Sequence, residues 1–312
     1  MTSPDTAPQP HPAAGEDSEW MTIAERGSVA GLRFLYLLCR SLGRRVARLA
    51  LRPIVVYYLV THPRARRASR DYQRQIGLAV RWRTVYRHFL NFAEVALDRI
   101  FLLEGHLSHF DAISRLGFEH LRSLRDNHRG ALLLGAHLGS LEAMRVLADF
   151  DGLPIYVLAY TGNARHINAV TRALNSDLAG RVVEIEPGDI GSLLKVKELI
   201  DGGHLVALLG DRVGINDKTT TVDFLGRPAR LPTGAYLLAA MLKCPVYLTF
   251  GLYTSPNRYE FFCEPFIDAP LELPRGSRET LLQALAQRYV GRVEHYCRMS
   301  PLNWFNFYNV WI

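Results

Sequence analysis

A histidine and a carboxylate five residues apart are the first candidates for chemistry in this sequence. His137 follows a short apolar run, residues 131–136, and Glu142 lies where a helical pattern begins. A histidine that titrates near neutral pH can accept a proton from an attacking alcohol. A carboxylate at its other ring nitrogen would fix the tautomer and stabilise the imidazolium. We therefore predict His137 as a general base with Glu142 as its partner. The alternative is a histidine and a glutamate that share this spacing by chance.

The loop around His137 contains two further candidates, which we predict to bind substrate. Gly139 would let the backbone approach a substrate closely, and Ser140 lies beside it at the predicted helix start. The N–H groups of that helix start can bind negative charge that develops in a reaction. Ser140 does not fit a Gly-x-Ser-x-Gly nucleophile motif, because Leu138 and Glu142 occupy the glycine positions. The His-Glu-x-x-His zinc motif and the phosphate-binding P-loop are also missing from the sequence.

The elements that must position these residues alternate between strand and helix. Residues 70–128 have a helical pattern, and from Gly130 short apolar runs alternate with helical stretches. The predicted strands are 131–136, 155–160, 181–185, 205–209, 246–253 and 259–263, the last two as an antiparallel pair. The predicted helices are 139–150, 164–178, 190–200, 233–242 and 277–297. This alternation predicts an α/β domain with a mostly parallel central sheet flanked by helices. Ligands of such sheets bind beyond the carboxyl ends of strands, which singles out loops 136–140 and 210–214.

An arginine-rich, apolar segment precedes this domain. Residues 31–90 contain fourteen arginines, no lysine and one acid, Asp71, whereas the whole chain has a formal net charge of +7. The longest charge-free stretch there, residues 53–63, is shorter than the roughly 20 residues that a spanning helix needs. Arginines interleaved with large apolar residues predict amphipathic helices in a membrane interface, in contact with anionic lipid. The alternative is a cationic helix pair packed on the main domain. Nucleic acid is not a predicted partner, because no nucleic-acid-binding motif accompanies the charge.

We predict three segments along the chain. Residues 1–19 are rich in proline and form a disordered tail, residues 20–69 form basic amphipathic membrane-interface helices, and residues 70–312 form the α/β domain. Hydrophobic residues make up 48% of the chain and charged residues 21%, which excludes global disorder. The four cysteines are scattered without a Cys-x-x-Cys pair, which favours a reducing compartment over a disulfide framework or a zinc site. The first residues lack the basic and apolar regions of a secretory signal peptide.

Several stretches resemble the lauroyl/myristoyl acyltransferases of lipid A biosynthesis, in the lysophospholipid acyltransferase superfamily. Residues 130–145 (GALLLGAHLGSLEAMR) look like that family's His-x4-acid motif, and residues 223–232 (DFLGRPARLP) resemble its Phe-Gly-x-Pro segment. Residues 209–212 (LGDR) lie where the family carries a polar block at a strand end. The ending, residues 301–308 (PLNWFNFY), is similar to the family's closing Pro-Trp-aromatic signature. The resemblance covers about residues 20–312.

This resemblance implies an O-acyltransferase of lipid biosynthesis, peripheral to the cytoplasmic face of the cell inner membrane. His137 would deprotonate a hydroxyl of a membrane lipid or glycolipid, which then attacks the thioester of an acyl carrier protein or coenzyme A. Such a mechanism implies no acyl-enzyme, no metal and no cofactor. The chain departs from typical members between His137 and Glu142, where Leu138, Ser140 and Leu141 replace aromatic and asparagine residues. The departure leaves the acceptor lipid open.

Three charged residues, Asp211, Arg212 and Arg227, complete the predicted substrate site. Arg212 would clamp a phosphate of donor or acceptor in a bidentate manner, with Asp211 orienting it. The alternative for this pair is a salt bridge at a strand end. Arg227, between Gly226 and Pro228, is predicted to contact a phosphate, and a surface turn is the alternative.

Other functions and partners stay open at the level of sequence. The same histidine and glutamate could serve a thioester or ester hydrolase that uses water. The chain could also be a catalytically silent, lipid-binding scaffold in a biosynthetic complex. The basic N-terminal segment could receive an acidic acyl carrier protein instead of a membrane.

Overall fold

The computed structural model of the chain describes residues 29–110, 113–160, 171–185, 190–214 and 217–312. The predicted disordered tail, residues 1–19, and residues 164–170 of a predicted helix lie outside these ranges. The first described part of the chain forms three helices, α1 (Val29–Thr61), α2 (Pro63–Gln75) and α3 (Trp82–Leu103). Gly43 divides α1, because its φ of 75° and ψ of 172° are not helical.

A seven-stranded sheet forms the centre of the α/β domain. Its strands lie in the order β1-β9-β8-β2-β5-β3-β4. Among the described pairings of this sheet, β8 with β9 is antiparallel and the others are parallel. The strands are β1 (Ile113–Leu116), β2 (Ala131–Gly135), β3 (Ile155–Tyr160), β4 (Val182–Ile185), β5 (Leu205–Leu209), β8 (Val246–Thr254) and β9 (Arg258–Ile267). The predicted fold class, a mostly parallel central sheet flanked by helices, is confirmed.

The flanking helices cover both faces of this sheet. They are α4 (Phe118–Asp126), α5 (Leu141–Phe150), α6 (Ser176–Gly180), α7 (Ile190–Asp201), α8 (Gly234–Leu242) and α9 (Arg278–Met299). The central strand β2 shows why its sequence is apolar throughout. Leu132 and Leu134 belong to one buried core, whereas Ala131 and Leu133 belong to the core on the opposite face. All four side chains are fully buried, as expected for a strand covered on both faces.

Two strand features differ from the sequence prediction. The predicted helical region 70–128 is wrong at β1, which pairs in parallel with Tyr259–Phe262 of β9. Four residues are too short a stretch to show a strand period, so this pairing with a distant edge strand decides the conformation. The second feature is an antiparallel hairpin, β6 (Thr219–Phe224) and β7 (Arg227–Pro232), which forms a separate two-stranded sheet.

The arginines of α1 are partly used inside the protein. The guanidinium of Arg44 binds both carboxylate oxygens of Asp98 on α3, at 2.7 and 2.8 Å, and Tyr259 donates to the same carboxylate. Arg48 forms an ion pair with Glu94, also on α3. These buried pairs fix the register of α1 against α3, because leaving either charge unpaired there would be costly. Among the described residues, no helix combines the length and apolar character that crossing a membrane requires.

Candidate active site

The site forms where two neighbouring parallel strands end. Gly135 of β2 lies opposite Leu209 of β5, so the loops that follow them emerge at the same edge of the sheet. The Nδ1 atom of His137 lies 2.8 Å from Oδ1 of Asp211, and the backbone N–H of His137 donates to Oδ2 at 2.9 Å. Because a carboxylate oxygen accepts, we assign the proton to Nδ1, which leaves Nε2 as the basic nitrogen. The imidazole is 27% exposed and the carboxylate 6%.

The electrostatics of this pair suit a general base. Burial and the positive charge of Arg212 lower the pKa of His137, and the Asp211 carboxylate opposes them. Burial by itself would raise the pKa of Asp211, but the charge and hydrogen bonds of His137, together with Arg212, outweigh burial and lower it to about 2. At neutral pH the aspartate is therefore ionised and the imidazole neutral. A general base needs this neutral form before it takes a proton.

A segment near the C-terminus, residues 303–306, holds the His137 loop in place. The N–H of Phe305 donates to the carbonyl of His137 at 2.7 Å, and the N–H of Gly139 donates to the carbonyl of Asn303 at 2.8 Å. Leu138 and Trp304 pair in an antiparallel bridge between these two hydrogen bonds. The position of the imidazole thus depends on a segment about 165 residues away in the chain, reached only through folding.

The same segment contacts Asp211 and Arg212. The Nδ2 of Asn306 donates to Oδ2 of Asp211 at 2.7 Å, and Nε of Arg212 donates to Oδ1 of Asn306 at 2.8 Å. Nη2 of Arg212 also donates to the carbonyl of Phe305 at 3.2 Å. Two donors of the predicted phosphate clamp are therefore directed at the protein. Asp211, predicted to orient Arg212, instead binds His137 and Asn306.

Glu142 has different partners from those predicted. It lies 3.5 Å from Arg99 of α3 and 3.5 Å from Arg145, one turn further along α5. Because α5 begins at Leu141, the helical phase turns Glu142 toward α3, and the position at Nδ1 of His137 is occupied by Asp211 of the neighbouring loop. The predicted contact between His137 and Glu142 is thus corrected to a contact between His137 and Asp211.

Gly139 and Ser140, which we predicted to contact substrate, make close contacts with other parts of the protein. Gly139 has a φ of +70°, and a Cβ there would lie 1.8 Å from the carbonyl oxygen of Gly251. The N–H of Ser140 donates to that carbonyl at 2.7 Å, and its Oγ accepts from the N–H of Ala143 as the N-cap of α5. The close approach that needs a glycine is therefore between two backbone segments of the protein.

Arg227 lies at the start of β7, where its guanidinium stacks 5.1 Å from the ring centre of Trp311. This contact is a cation–π interaction with the C-terminal end of the chain. The described contacts of Arg227 do not connect it to His137 or Asp211. Its predicted contact with a phosphate stays a prediction.

A small, mostly apolar cavity borders the acidic member of the site. Asp211 lines it together with apolar and aromatic side chains of the β6–β7 hairpin, α9 and the C-terminal segment, among them Phe224, Leu231, Val290, Val293 and Trp304. The Asp211 side chain is 6% exposed and therefore largely shielded from water, which strengthens its interaction with the imidazole. Within the described residues, no group of three histidine, cysteine, aspartate or glutamate side chains is arranged to hold a metal ion.

A second, fully buried histidine supports the site from the helical side, and sequence reasoning missed it. Nε2 of His88 on α3 donates to the carbonyl of Trp304 at 2.9 Å, so Nδ1 must accept from the hydroxyl of Ser69, also at 2.9 Å. Gln73 in turn donates to the Ser69 oxygen. Burial lowers the pKa of His88 to about 4, against a smaller opposing effect of the bond to Trp304. The neutral ring thus links α2 and α3 to segment 303–306.

A comparison with known protein families shows which family the chain belongs to. The family described as bacterial lipid A biosynthesis acyltransferase matches residues 78–312, which include His137, Asp211 and segment 303–306. The chain belongs to this family. Acyl transfer of the lipid A type is thus the activity that its family indicates, and the predicted family is confirmed. Helices α1 and α2 precede the matched residues. No curated protein matches the chain.

Proposed function

We propose that this acyltransferase moves a fatty acyl group from a thioester of acyl carrier protein or coenzyme A to a hydroxyl of a membrane lipid or glycolipid. His137 acts as the general base, and Asp211 orients and stabilises its ring. The observation that carries this proposal is the 2.8 Å contact between Nδ1 of His137 and Asp211, beyond the carboxyl ends of β2 and β5. It leaves Nε2 as a basic nitrogen on a partly exposed ring.

The reaction follows from the protonation states of this pair. Nε2 of His137 takes the proton of the acceptor hydroxyl while the hydroxyl oxygen attacks the thioester carbonyl carbon. The resulting imidazolium is stabilised by the ionised Asp211 carboxylate at Nδ1. The tetrahedral intermediate then collapses, the carbon–sulfur bond breaks, and the imidazolium returns its proton to the leaving thiolate. The products are an ester and a free thiol, and the enzyme is regenerated.

The developing oxyanion needs donors, and the helix that follows the His137 loop, α5, can supply them at its start. The N–H groups of Gly139 and Ser140 are engaged by the carbonyls of Asn303 and Gly251. The next N–H groups, of Leu141 and Glu142, open α5, and the first N–H groups of an α-helix have no acceptor within the helix. We assign oxyanion stabilisation to this helix start, which also has a favourable dipole.

Glu142 has a supporting role in this proposal. Its carboxylate lies between two cations, Arg99 of α3 and Arg145 of α5, and Arg145 is 2% exposed. Arg145 also donates to the carbonyl of Leu178. The glutamate thereby neutralises a buried arginine and holds the first turn of α5 against α3. Its loss would disturb the helix start without removing the base.

The central test of this proposal is a substitution of the general base, His137. His137→Ala should reduce acyl transfer by at least about 10²–10⁴-fold, because general-base catalysis is lost. His295→Ala is the matched control, since His295 lies exposed on α9. Both variants should keep the circular dichroism spectrum and melting temperature of the parent protein. If His137→Ala transferred acyl groups as fast as the His295→Ala control, the proposal would be refuted.

Product analysis separates transfer from the two other functions. Mass spectrometry of a reaction with acyl carrier thioester and lipid acceptor should show an acylated lipid that depends on His137. Free fatty acid without acylated lipid would indicate a hydrolase instead. Binding of lipid without any turnover of thioester would indicate a silent scaffold.

We further propose that α1 docks on an anionic membrane surface, at the cytoplasmic face of the inner membrane. Exposed apolar side chains recur along α1 at helical spacing, namely Val46, Leu49, Val56, Tyr57 and Val60. Two exposed arginines, Arg45 and Arg52, lie close to them along the same helix. Apolar side chains that enter the interface beside arginines at lipid phosphates are typical of a peripheral membrane helix.

Vesicle flotation tests this docking. Glutamine substitution of three exposed apolar residues of α1 should weaken binding to anionic vesicles: Leu49, Tyr57 and Val60. The matched control substitutes three equally exposed apolar residues elsewhere: Leu116, Phe150 and Leu194. Neutralising Arg45 and Arg52 should weaken binding to anionic vesicles more than to neutral ones. Unchanged flotation of both α1 variants would refute the docking. If the α1 variants instead lost activity selectively with an acyl carrier protein donor, the basic surface would be assigned to binding of the carrier protein.

A further inference from the structure

We infer that Asn306 is a positioning residue of this site: its amide aims the Asp211 carboxylate at the imidazole of His137 and separates that carboxylate from the guanidinium of Arg212. The inference rests on the proposed function of His137 and Asp211. Asn306 acts through Asp211 and contacts neither the imidazole nor a reacting atom. Its position in the aromatic C-terminal segment gives no such indication in the sequence.

The hydrogen bonds fix the orientation of this amide. Oδ1 of Asn306 accepts from Nε of Arg212 at 2.8 Å, so the amino group must face Asp211, to which it donates at 2.7 Å. Asparagine is the residue whose side chain offers an acceptor and a donor side by side. The side chain is 1% exposed, so water does not compete for either bond. An amide that neither titrates nor carries charge thus connects the carboxylate to the guanidinium.

The hydrogen bond from Asn306 also gives the two oxygens of the Asp211 carboxylate different partners. Oδ2 of Asp211 receives the backbone N–H of His137 at 2.9 Å and the Asn306 amide. Oδ1 is thereby directed at Nδ1 of His137. With both oxygens held, the carboxylate lies where it can stabilise the imidazolium. A carboxylate that could rotate would stabilise it less, because orientation is part of the catalytic effect.

Separation from Arg212 matters because arginine and carboxylate groups readily form bidentate pairs. Arg212 and Asp211 are adjacent in sequence, and the positive charge of Arg212 already lowers the pKa of both His137 and Asp211. A direct pair would draw the carboxylate away from the imidazole. Asn306 occupies the space between the two groups and satisfies both.

The experiment compares Asn306→Ala and Asn306→Asp with Asn127→Asp, an exposed asparagine at the end of α4 that serves as control. Asn306→Ala lets Arg212 approach Asp211, so the acid limb of the pH profile of kcat/KM should move to lower pH. Asn306→Asp adds a negative charge beside the pair, so the same limb should move to higher pH. In both variants kcat should fall about 10–10²-fold, the equivalent of one hydrogen bond to a charged group, while KM changes less than about twofold.

A titration without substrate distinguishes this inference from the proposed function. The His137 imidazole is followed by NMR of histidine-labelled full-length protein between pH 5 and 8, in the parent and in each variant. If the pKa of His137 shifts in opposite directions in Asn306→Ala and Asn306→Asp, the result supports the positioning role of Asn306 even if transfer activity is never found. If Asn306→Ala does not fold, the nearly isosteric Asn306→Asp carries the test. The inference would be overturned if the pKa of His137 in Asn306→Asp equalled that of the parent protein. It would also be overturned if Asn127→Asp shifted this pKa as much as Asn306→Asp does.

Discussion

Replacement of Asp211 by asparagine tests the central pair most directly, because the side chain keeps its shape and loses its charge. The carboxylate accepts three hydrogen bonds, from Nδ1 and the backbone N–H of His137 and from Nδ2 of Asn306. An asparagine has one oxygen and one amino group, so at least one of these donors faces another donor as long as Nδ1 of His137 keeps its proton. Moving that proton to Nε2 removes the mismatch, but it also removes the basic nitrogen. The variant therefore loses a charge and, in the tautomer that can act as a base, gains a mismatched hydrogen bond.

The expected loss of activity in Asp211→Asn follows from these contacts. A hydrogen bond to a charged group contributes about 1.5–3 kcal/mol, and an unsatisfied buried donor costs about 1–3 kcal/mol. The imidazolium that Asp211 stabilises forms only during proton transfer, so most of the loss falls on the transition state. A combined loss of about 3–5 kcal/mol corresponds to about 10²–10⁴-fold in kcat.

The pH profile provides a second signature. The negative charge of Asp211 raises the pKa of His137, in opposition to burial and to Arg212. Removal of that charge should lower the pKa of His137 further. The acid limb of kcat/KM, where the base becomes protonated, should therefore move to lower pH in Asp211→Asn, although the plateau rate falls.

The assay measures transfer of a labelled acyl group from acyl carrier protein to lipid, with Glu142→Gln as the matched carboxylate-to-amide variant. Glu142→Gln should lower stability, because it removes the carboxylate that lies 3.5 Å from both Arg99 and Arg145. The acid limb of its pH profile should stay in place. His137→Ala combined with Asp211→Asn should be no slower than His137→Ala alone, because the two residues act as a unit. If Asp211→Asn keeps kcat within tenfold while Glu142→Gln moves the acid limb, the reasoning is refuted and Glu142 is the partner.

Two further predictions concern stability. His88 has a pKa of about 4 in the folded protein, below its ordinary 6.5, so its contribution is fully present above about pH 6.5 and is lost as pH falls toward 4. Between pH 7 and pH 5 the loss attributable to this residue should be about 2 kcal/mol in the free energy of unfolding. Urea denaturation at both pH values should show that His88→Gln removes this part of the pH dependence, and an identical pH dependence in both proteins would contradict the assignment. Gly139→Ala should unfold or inactivate the enzyme, because its Cβ would overlap the carbonyl of Gly251. Gly226→Ala, also at positive φ but with no heavy atom within 4 Å of its Cβ, should cost only about 1–2 kcal/mol in thermal denaturation. Equal melting temperatures of the two glycine variants would show that the close approach of residues 139 and 251 does not constrain the fold.

The class of fold, and the end of the sheet where the site lies, can be predicted from the amino-acid sequence. The alternation of apolar runs and helical stretches predicts a mostly parallel sheet, since buried strands such as β2 must be apolar on both faces. The rule that sites lie beyond strand ends singled out loops 136–140 and 210–214, and the structure joins them through His137 and Asp211. These results are accessible because strand periodicity and chain order are local properties.

Which side chains meet at the site depends on long-range packing and cannot be predicted from the sequence. Proximity in sequence favoured Glu142 as the partner of His137, but the phase of α5 turns Glu142 to Arg99, and strand register brings Asp211 to Nδ1. Asn306 and His88 reach the site from distant segments through hydrogen bonds. Two arginines of the basic N-terminal segment are likewise used in ion pairs with α3. Hydrogen bonds and ion pairs require atoms within about 3–4 Å, and that spacing is set by the pairing of elements far apart in the chain.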